Sequence, residues 1–174
     1  MAVDTEGPVK ITLTPDVARF NLRIRSADLA AVTKVLGIEI PALIEQCNEN
    51  GTRSALCLGP DEWVLFADSE EASDIEAAFS DIYSDVPHSL TNISDREITI
   101  GIDGDRAAEI LSVACPRNLD AVDIGTGFRT IFNGVQVVIH RDAVDVFRLD
   151  CWRSFFPHVR GLLTIANREL SIGL

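Results

Sequence analysis

ARFNLRIRSADLAAVTKVLG (residues 18–37) and REITIGIDGDRAAEILSVACP (residues 96–116) carry one pattern twice, and that repetition decides the fold. In the first copy Phe20, Leu22 and Ile24 alternate with Asn21, Arg23 and Arg25, the period-two signature of a half-buried strand. Ser26 stands at an N-cap position, Leu29, Val32, Val35 and Leu36 recur at helical spacing, and Gly37 stops the helix. In the second copy Ile98, Ile100 and Ile102 alternate with Thr99 and Gly101. Asp103 is placed to cap a helix with Ala107, Ile110, Leu111 and Ala114 on one face, and Pro116 ends it.

Working outward from the first copy, residues 38–52 read as a loop with room for one helical turn. The short strands SALCL and WVLF follow, joined by Gly59-Pro60-Asp61-Glu62 in a type I hairpin turn. Asp68 and Glu71 have capping-box spacing before a helix striped by Ala72, Ile75, Phe79 and Ile82. After the second copy, loop 117–127 leads to the strands RTIF and VQVVI, turned at Asn133-Gly134, a strong hairpin signal. The strand VDVFRLDC then runs into a helix, with Ser154 as cap and Phe155, Val159, Leu162, Leu163 and Ala166 as its buried stripe.

Both halves thus read strand, helix, hairpin strands, helix. The expected class is α+β, a duplicated strand-helix-strand-strand-helix (split βαβ, ferredoxin-like) unit. Tight hairpins argue against a parallel α/β sheet. The expected organisation is an N-terminal segment at 1–17, a first half at 18–90 and a second at 91–174, packed as one compact domain.

Lys and Arg number 15 against 27 Asp and Glu, a formal charge of −12. Such a balance argues against nucleic acid and anionic membrane as partners, since both select basic patches. MAVDTEGPVK lacks the basic flank and apolar core of a signal peptide, so a cytoplasmic location is expected. No Lys or Arg occurs between Arg53 and Arg96, which reads as a solvated acidic face or a docking face for a basic partner. The second half is nearly neutral and its cations are all Arg, a composition suited to an interface.

The residues form no recognisable catalytic or metal motif. Cys47, Cys57, Cys115 and Cys151 make no CxxC pair and read as reduced structural thiols. His88, His140 and His158 lie far apart, without an acidic or metal-type partner at a recognised spacing. GxSxG, HExxH, P-loop and GxGxxG patterns do not occur. Two Trp-bearing strand ends stand out instead. Trp63 follows the Pro60 turn, and Trp152 sits beside Arg153 at a strand-to-helix junction near Phe155. Each Trp reads either as a core ring or as an interface anchor, because Trp and Arg dominate protein–protein hot spots. Trp63, Trp152, Arg153 and Phe155 are therefore the candidate subunit-interface residues.

Three segments carry a family resemblance: LGPDEWVLFAD (58–68), ISDREITIGIDGDRAAEILSVACPRNLD (93–120) and FRLDCWRSFFPHVRGLL (147–163). Together they resemble the γ subunit of bacterial heterotetrameric sarcosine oxidase. The resemblance implies an αβγδ flavoenzyme that oxidatively demethylates sarcosine to glycine, hydrogen peroxide and formaldehyde, or methylene-tetrahydrofolate. It further implies that FAD, FMN, NAD and tetrahydrofolate belong to the partner subunits, and that the γ chain has no assigned catalytic, cofactor or metal residue.

SLTNISDREITIGIDGDRAAEIL (89–111) is also distantly similar to the opening of the folate-binding aminomethyltransferase (T-protein) superfamily, whose folate-binding domain has the same expected architecture. The alternative this implies is a freestanding folate-binding one-carbon protein. Against it, Asp150-Cys151-Trp152-Arg153 stands where that family presents an Asn-Ala pair near its folate pocket. A self-contained homo-oligomeric scaffold is the third reading.

Overall fold

The computed structural model describes residues 2–4 and 7–173. Along the chain come β1 (Ala2–Asp4), β2 (Lys10–Leu13), β3 (Ala18–Arg23), α1 (Leu29–Leu36), β4 (Cys47–Asn50), β5 (Arg53–Gly59), β6 (Glu62–Ala67) and α2 (Ala72–Ile82). Then follow β7 (Ser89–Asn92), β8 (Glu97–Asp103), α3 (Ala107–Ser112), β9 (Thr126–Phe132), β10 (Val135–Ala143), β11 (Val146–Trp152) and α4 (Phe156–Ser171). They form two compact units, Asp16–Ser94 and Met1–Pro15 with Asp95–Leu174.

In the Asp16–Ser94 unit the strand order is β4-β5-β6-β3-β7, with every neighbour antiparallel. Alternation sends Phe20 and Leu22 of β3 and Trp63 and Leu65 of β6 to one face. There they meet Val32 and Leu36 of α1 and Ile75 and Phe79 of α2. Burying one such aliphatic or aromatic side chain contributes about 1.5–3 kcal/mol, so this layer is the unit's main source of stability.

The other unit repeats the design in the order β9-β10-β11-β8-β2-β1. Ile98, Ile100 and Ile102 of β8 and Phe147, Leu149 and Cys151 of β11 pack with Ala107, Ile110 and Leu111 of α3 and Val159 and Leu163 of α4. Here β8, α3, β10, β11 and α4 match β3, α1, β5, β6 and α2 in turn. The last place, held by β7 in the first unit, is taken by β2 from the chain's N-terminal end. A strand at 10–13 thus joins the later half, across the segment that sequence sets apart as 1–17. The matching hairpins even share a defect: register slips between Cys57 and Gly59 before the Pro60 turn, and between Arg141 and Ala143 before the Val144-Asp145 turn.

Some local expectations fail for a common reason. Ser26, Asp103 and Ser154 do not stand at helix N-caps, and Asp68 holds the N-cap of the 3-10 turn before α2 without a side-chain cap hydrogen bond. Three strand-to-helix passages run through a 3-10 turn instead, at Ser26–Asp28, Ser69–Glu71 and Arg153–Phe155. Ser26 Oγ then donates to the Pro60 carbonyl at 2.9 Å, while Asp103 stays in β8. Residues 47–50, expected as loop, form edge strand β4 against β5. The helix stop at Gly37 holds, with φ +70° and its N–H donating to the Thr33 carbonyl at 2.9 Å. Asn133 and Gly134 both take positive φ, as the expected tight turn requires.

Candidate functional site

Trp152 ends β11, facing the side opposite Cys151, because side chains alternate along a strand. Cys151 is buried, whereas Trp152 is 41% exposed. The chain then turns through residues 153–155 and enters α4, where Pro157 lies in the first turn, the place a helix tolerates it. This corner is pinned to the start of β8. The Arg153 N–H donates to the Arg96 carbonyl at 2.8 Å, and Arg153 Nε donates to the Asp95 carbonyl at 3.0 Å. Arg96 lays its guanidinium 5.4 Å from the centre of the Trp152 ring, while Nη2 donates to Glu97 Oε1 at 2.9 Å. Phe155, 42% exposed, places its ring 6.0 Å from that of Trp152.

Trp152, Arg153 and Phe155 therefore come together, and Arg96 joins them. Phe155 points outward rather than joining the buried stripe of α4, whose buried positions are Val159, Leu163, Ala166 and Asn167. Trp63 belongs elsewhere. It is 1% exposed in the core of the Asp16–Ser94 unit, and its Nε1 donates to the Pro41 carbonyl at 2.8 Å. A ring so enclosed has no surface to offer a partner, and its role is packing. The sequence leaves this undecided because EWVLFA is apolar at successive positions, and all six residues of β6 are buried.

A buried polar cluster lies on the face of the second sheet opposite Ile98 and Ile100. His140 Nε2 lies 3.0 Å from Asp150 Oδ2, and Thr99 Oγ1 donates to Asp150 Oδ1. All three residues are buried. His140 thus does have an acidic partner, contrary to the spacing argument. The available signal was symmetry: His140 and Asp150 flank the Val144-Asp145 turn on paired strands, two residues out of direct register. Thr99 and His140 thus reach different oxygens of the same buried carboxylate. Together they satisfy it.

Cys57, Cys115 and Cys151 are buried; burial pushes the Cys57 thiol up, and the thiol donates to the Gly59 carbonyl at 3.3 Å. Among the described residues no group of three or more His, Cys, Asp or Glu side chains is arranged to hold a metal. No helix among them is long and apolar enough to cross a membrane.

The chain is similar to a chain of the heterotetrameric sarcosine oxidase from Corynebacterium sp. U-96, at 22% identity and a TM-score of 0.85, over 98% of this chain and 89% of that one. It is similar to glycine cleavage system aminomethyltransferase T from Bartonella henselae at 13% identity and a TM-score of 0.70, over 95% of this chain and 50% of that one. The regulatory subunit of aspartate kinase from Thermus thermophilus follows, at 12% identity and a TM-score of 0.55, over 93% and 98%. At these identities the likeness is one of fold, and the mixed α+β class with two antiparallel sheets is shared with the first two. No curated protein sequence matches the chain at a significant level. Residues 23–168 match the sarcosine oxidase, gamma subunit family, and the chain belongs to that family.

Proposed function

We propose that this chain is the non-catalytic γ subunit of a heterotetrameric sarcosine oxidase. In this reading the α and β subunits carry FAD, FMN, NAD and tetrahydrofolate. The assembly oxidatively demethylates sarcosine to glycine, with hydrogen peroxide and formaldehyde or methylene-tetrahydrofolate. The observation that carries it is the family match over residues 23–168. The corner of Trp152, Arg153 and Phe155 supports a structural role. Two exposed rings and an arginine, held by backbone hydrogen bonds on two elements, make a preorganised anchor for a larger subunit. The cytoplasm is the proposed location.

Co-expression with and without the α, β and δ chains tests the proposal. The expected result is a stable four-chain complex that produces peroxide from sarcosine, with none from this chain alone, since amine oxidation needs an electron acceptor such as a flavin. Sarcosine-dependent peroxide from the lone, flavin-free chain would overturn the non-catalytic reading. A freestanding chain that ignores the other subunits and binds tetrahydrofolate would favour the one-carbon alternative.

A further inference from the structure

We propose that the groove between α2 and β7 receives a basic, extended polypeptide segment that adds to the open edge of β7 as a further strand. Among the described residues β7 has one strand neighbour, β3. The Ile93 N–H donates to the Arg19 carbonyl at 2.8 Å. Antiparallel alternation therefore aims the backbone groups of Thr91 toward β3 and those of Leu90 and Asn92 at the open side. Ser89, Thr91 and Asn92 are exposed, so this backbone edge is accessible. An open edge of this kind is a template for strand addition.

A groove of about 470 Å³ runs beside that edge. Glu76 and Phe79 of α2 and Tyr83 at its C-cap line it, spaced so that they share one helix face, and His88 and Leu90 line it from the strand side. The His88 ring is set edge-on to Phe79 at 5.2 Å and to Tyr83 at 5.5 Å, with Nδ1 2.7 Å from the Val86 carbonyl. Tyr83 is nevertheless 57% exposed, so part of this aromatic seat is open to an incoming side chain.

Charge selects the occupant. Glu76 Oε1 accepts a hydrogen bond from Asn92 Nδ2 at 2.8 Å, which holds the carboxylate across from the strand edge. No Lys or Arg occurs between Arg53 and Arg96, whereas Asp74, Glu76, Asp81 and Asp85 lie within or just after α2. Arg23, in register with Ser89, is engaged by Asp61 at 2.9 Å and Glu62 at 3.2 Å. Glu76 is the one carboxylate among the groove-lining residues and no Lys or Arg is among them, so the edge disfavours acidic segments and favours basic ones. The segment that fits is extended, presents backbone groups to Leu90 and Asn92, sets an apolar side chain against Tyr83 and His88, and brings a lysine or arginine to Glu76. This surface lies in the Asp16–Ser94 unit, and its test is independent of the Trp152 corner and of the γ-subunit reading.

The probe is an acetylated, amidated hexapeptide of alternating lysine and leucine, titrated into the ¹⁵N-labelled full chain at low salt. Saturable shifts should be largest at the Leu90 and Asn92 amides. A hexapeptide of alternating glutamate and leucine should bind about tenfold more weakly or worse. Glu76→Lys should weaken the lysine peptide about tenfold, and Tyr83→Ala should weaken it measurably. Both substitutions are at exposed positions, and each variant's own spectrum establishes that it is folded. Shifts scattered over the surface, no saturation at millimolar peptide, or equal binding of the glutamate peptide would overturn the proposal. So would unchanged affinity in a folded Glu76→Lys variant.

Discussion

Asn167, fully buried in α4, grips both backbone groups of Val9: Oδ1 accepts its N–H at 3.1 Å, and Nδ2 donates to its carbonyl at 2.8 Å. This pair ties the segment leading into β2 to the last helix of its unit. Nearby, a Cβ at Gly7 would fall 2.4 Å from Asn167 Oδ1, so only glycine fits beside the amide. Asn167→Leu would strand a buried N–H and a buried carbonyl at about 1–3 kcal/mol each. At about 2–4 °C per kcal/mol for a chain of this size, the expected drop in melting temperature is about 4–24 °C. Thermal unfolding measures it, and an unchanged transition would refute the clamp.

The two tryptophans should separate cleanly. Trp63→Ala empties a core site and should cost about 3–5 kcal/mol of folding stability. Trp152→Ala should leave thermal unfolding almost unchanged yet weaken co-purification with the larger subunits by about 2 kcal/mol or more, as should Arg153→Ala. A collapse of stability in Trp152→Ala, with Arg153→Ala assembling normally, would assign the corner to packing alone.

Asp150→Ala removes the common acceptor of Thr99 and His140. Losing these two buried hydrogen bonds costs about 1–3 kcal/mol each. Asp150→Asn keeps the shape and the acceptor for Thr99, so urea unfolding should rank it between wild type and Asp150→Ala. Equal stability of all three would mean the cluster contributes nothing to the fold.

The Arg53–Glu71 pair gives stability a pH signature. Arg53 Nε donates to Glu71 Oε1 at 2.9 Å and Arg53 Nη1 to the Leu36 carbonyl at 2.8 Å, tying β5 to the ends of two helices. The hydrogen bond from Arg53 is the main cause holding the Glu71 carboxyl below its ordinary 4.5, partly opposed by burial. A carboxyl lowered in the folded state stabilises fully above its unfolded value, and that stability is lost as pH falls through the folded value. The advantage of wild type over Glu71→Gln in melting temperature should therefore be largest near neutrality and shrink as pH drops below 4.5. An advantage that grows with acidification would contradict the assignment.

Much of the architecture is local and was legible. Ile98, Ile100 and Ile102 announce β8, and the stripe of Ala107, Ile110 and Leu111 announces α3, because burial on one face writes its period into the chain. Other parts have no local signature. CNEN in β4 is polar except at Cys47 and pairs on one side only, so alternation carries no contrast there. The place of β2 beside β8 depends on a partner distant in sequence. At the site, residue type picked out Trp152 and Arg153, but the enclosure of Trp63, the Arg96 stack and the His140–Asp150 pair arise only once strands are in register.

Because β2 and β8 run antiparallel, with Leu13 opposite Ile100 and the Thr14 N–H donating to the Thr99 carbonyl at 3.0 Å, they form a hairpin whose turn is the whole Asp16–Ser94 unit. A bare loop of that length is entropically costly to close. The inner unit, once folded, returns its own ends to each other: the Arg19 N–H reaches Ser94 Oγ at 2.9 Å. Shortening the effective loop about eightfold removes roughly 2 kcal/mol of closure entropy. Closing the β2–β8 pair is therefore entropically cheaper around a folded inner unit than around an unfolded one.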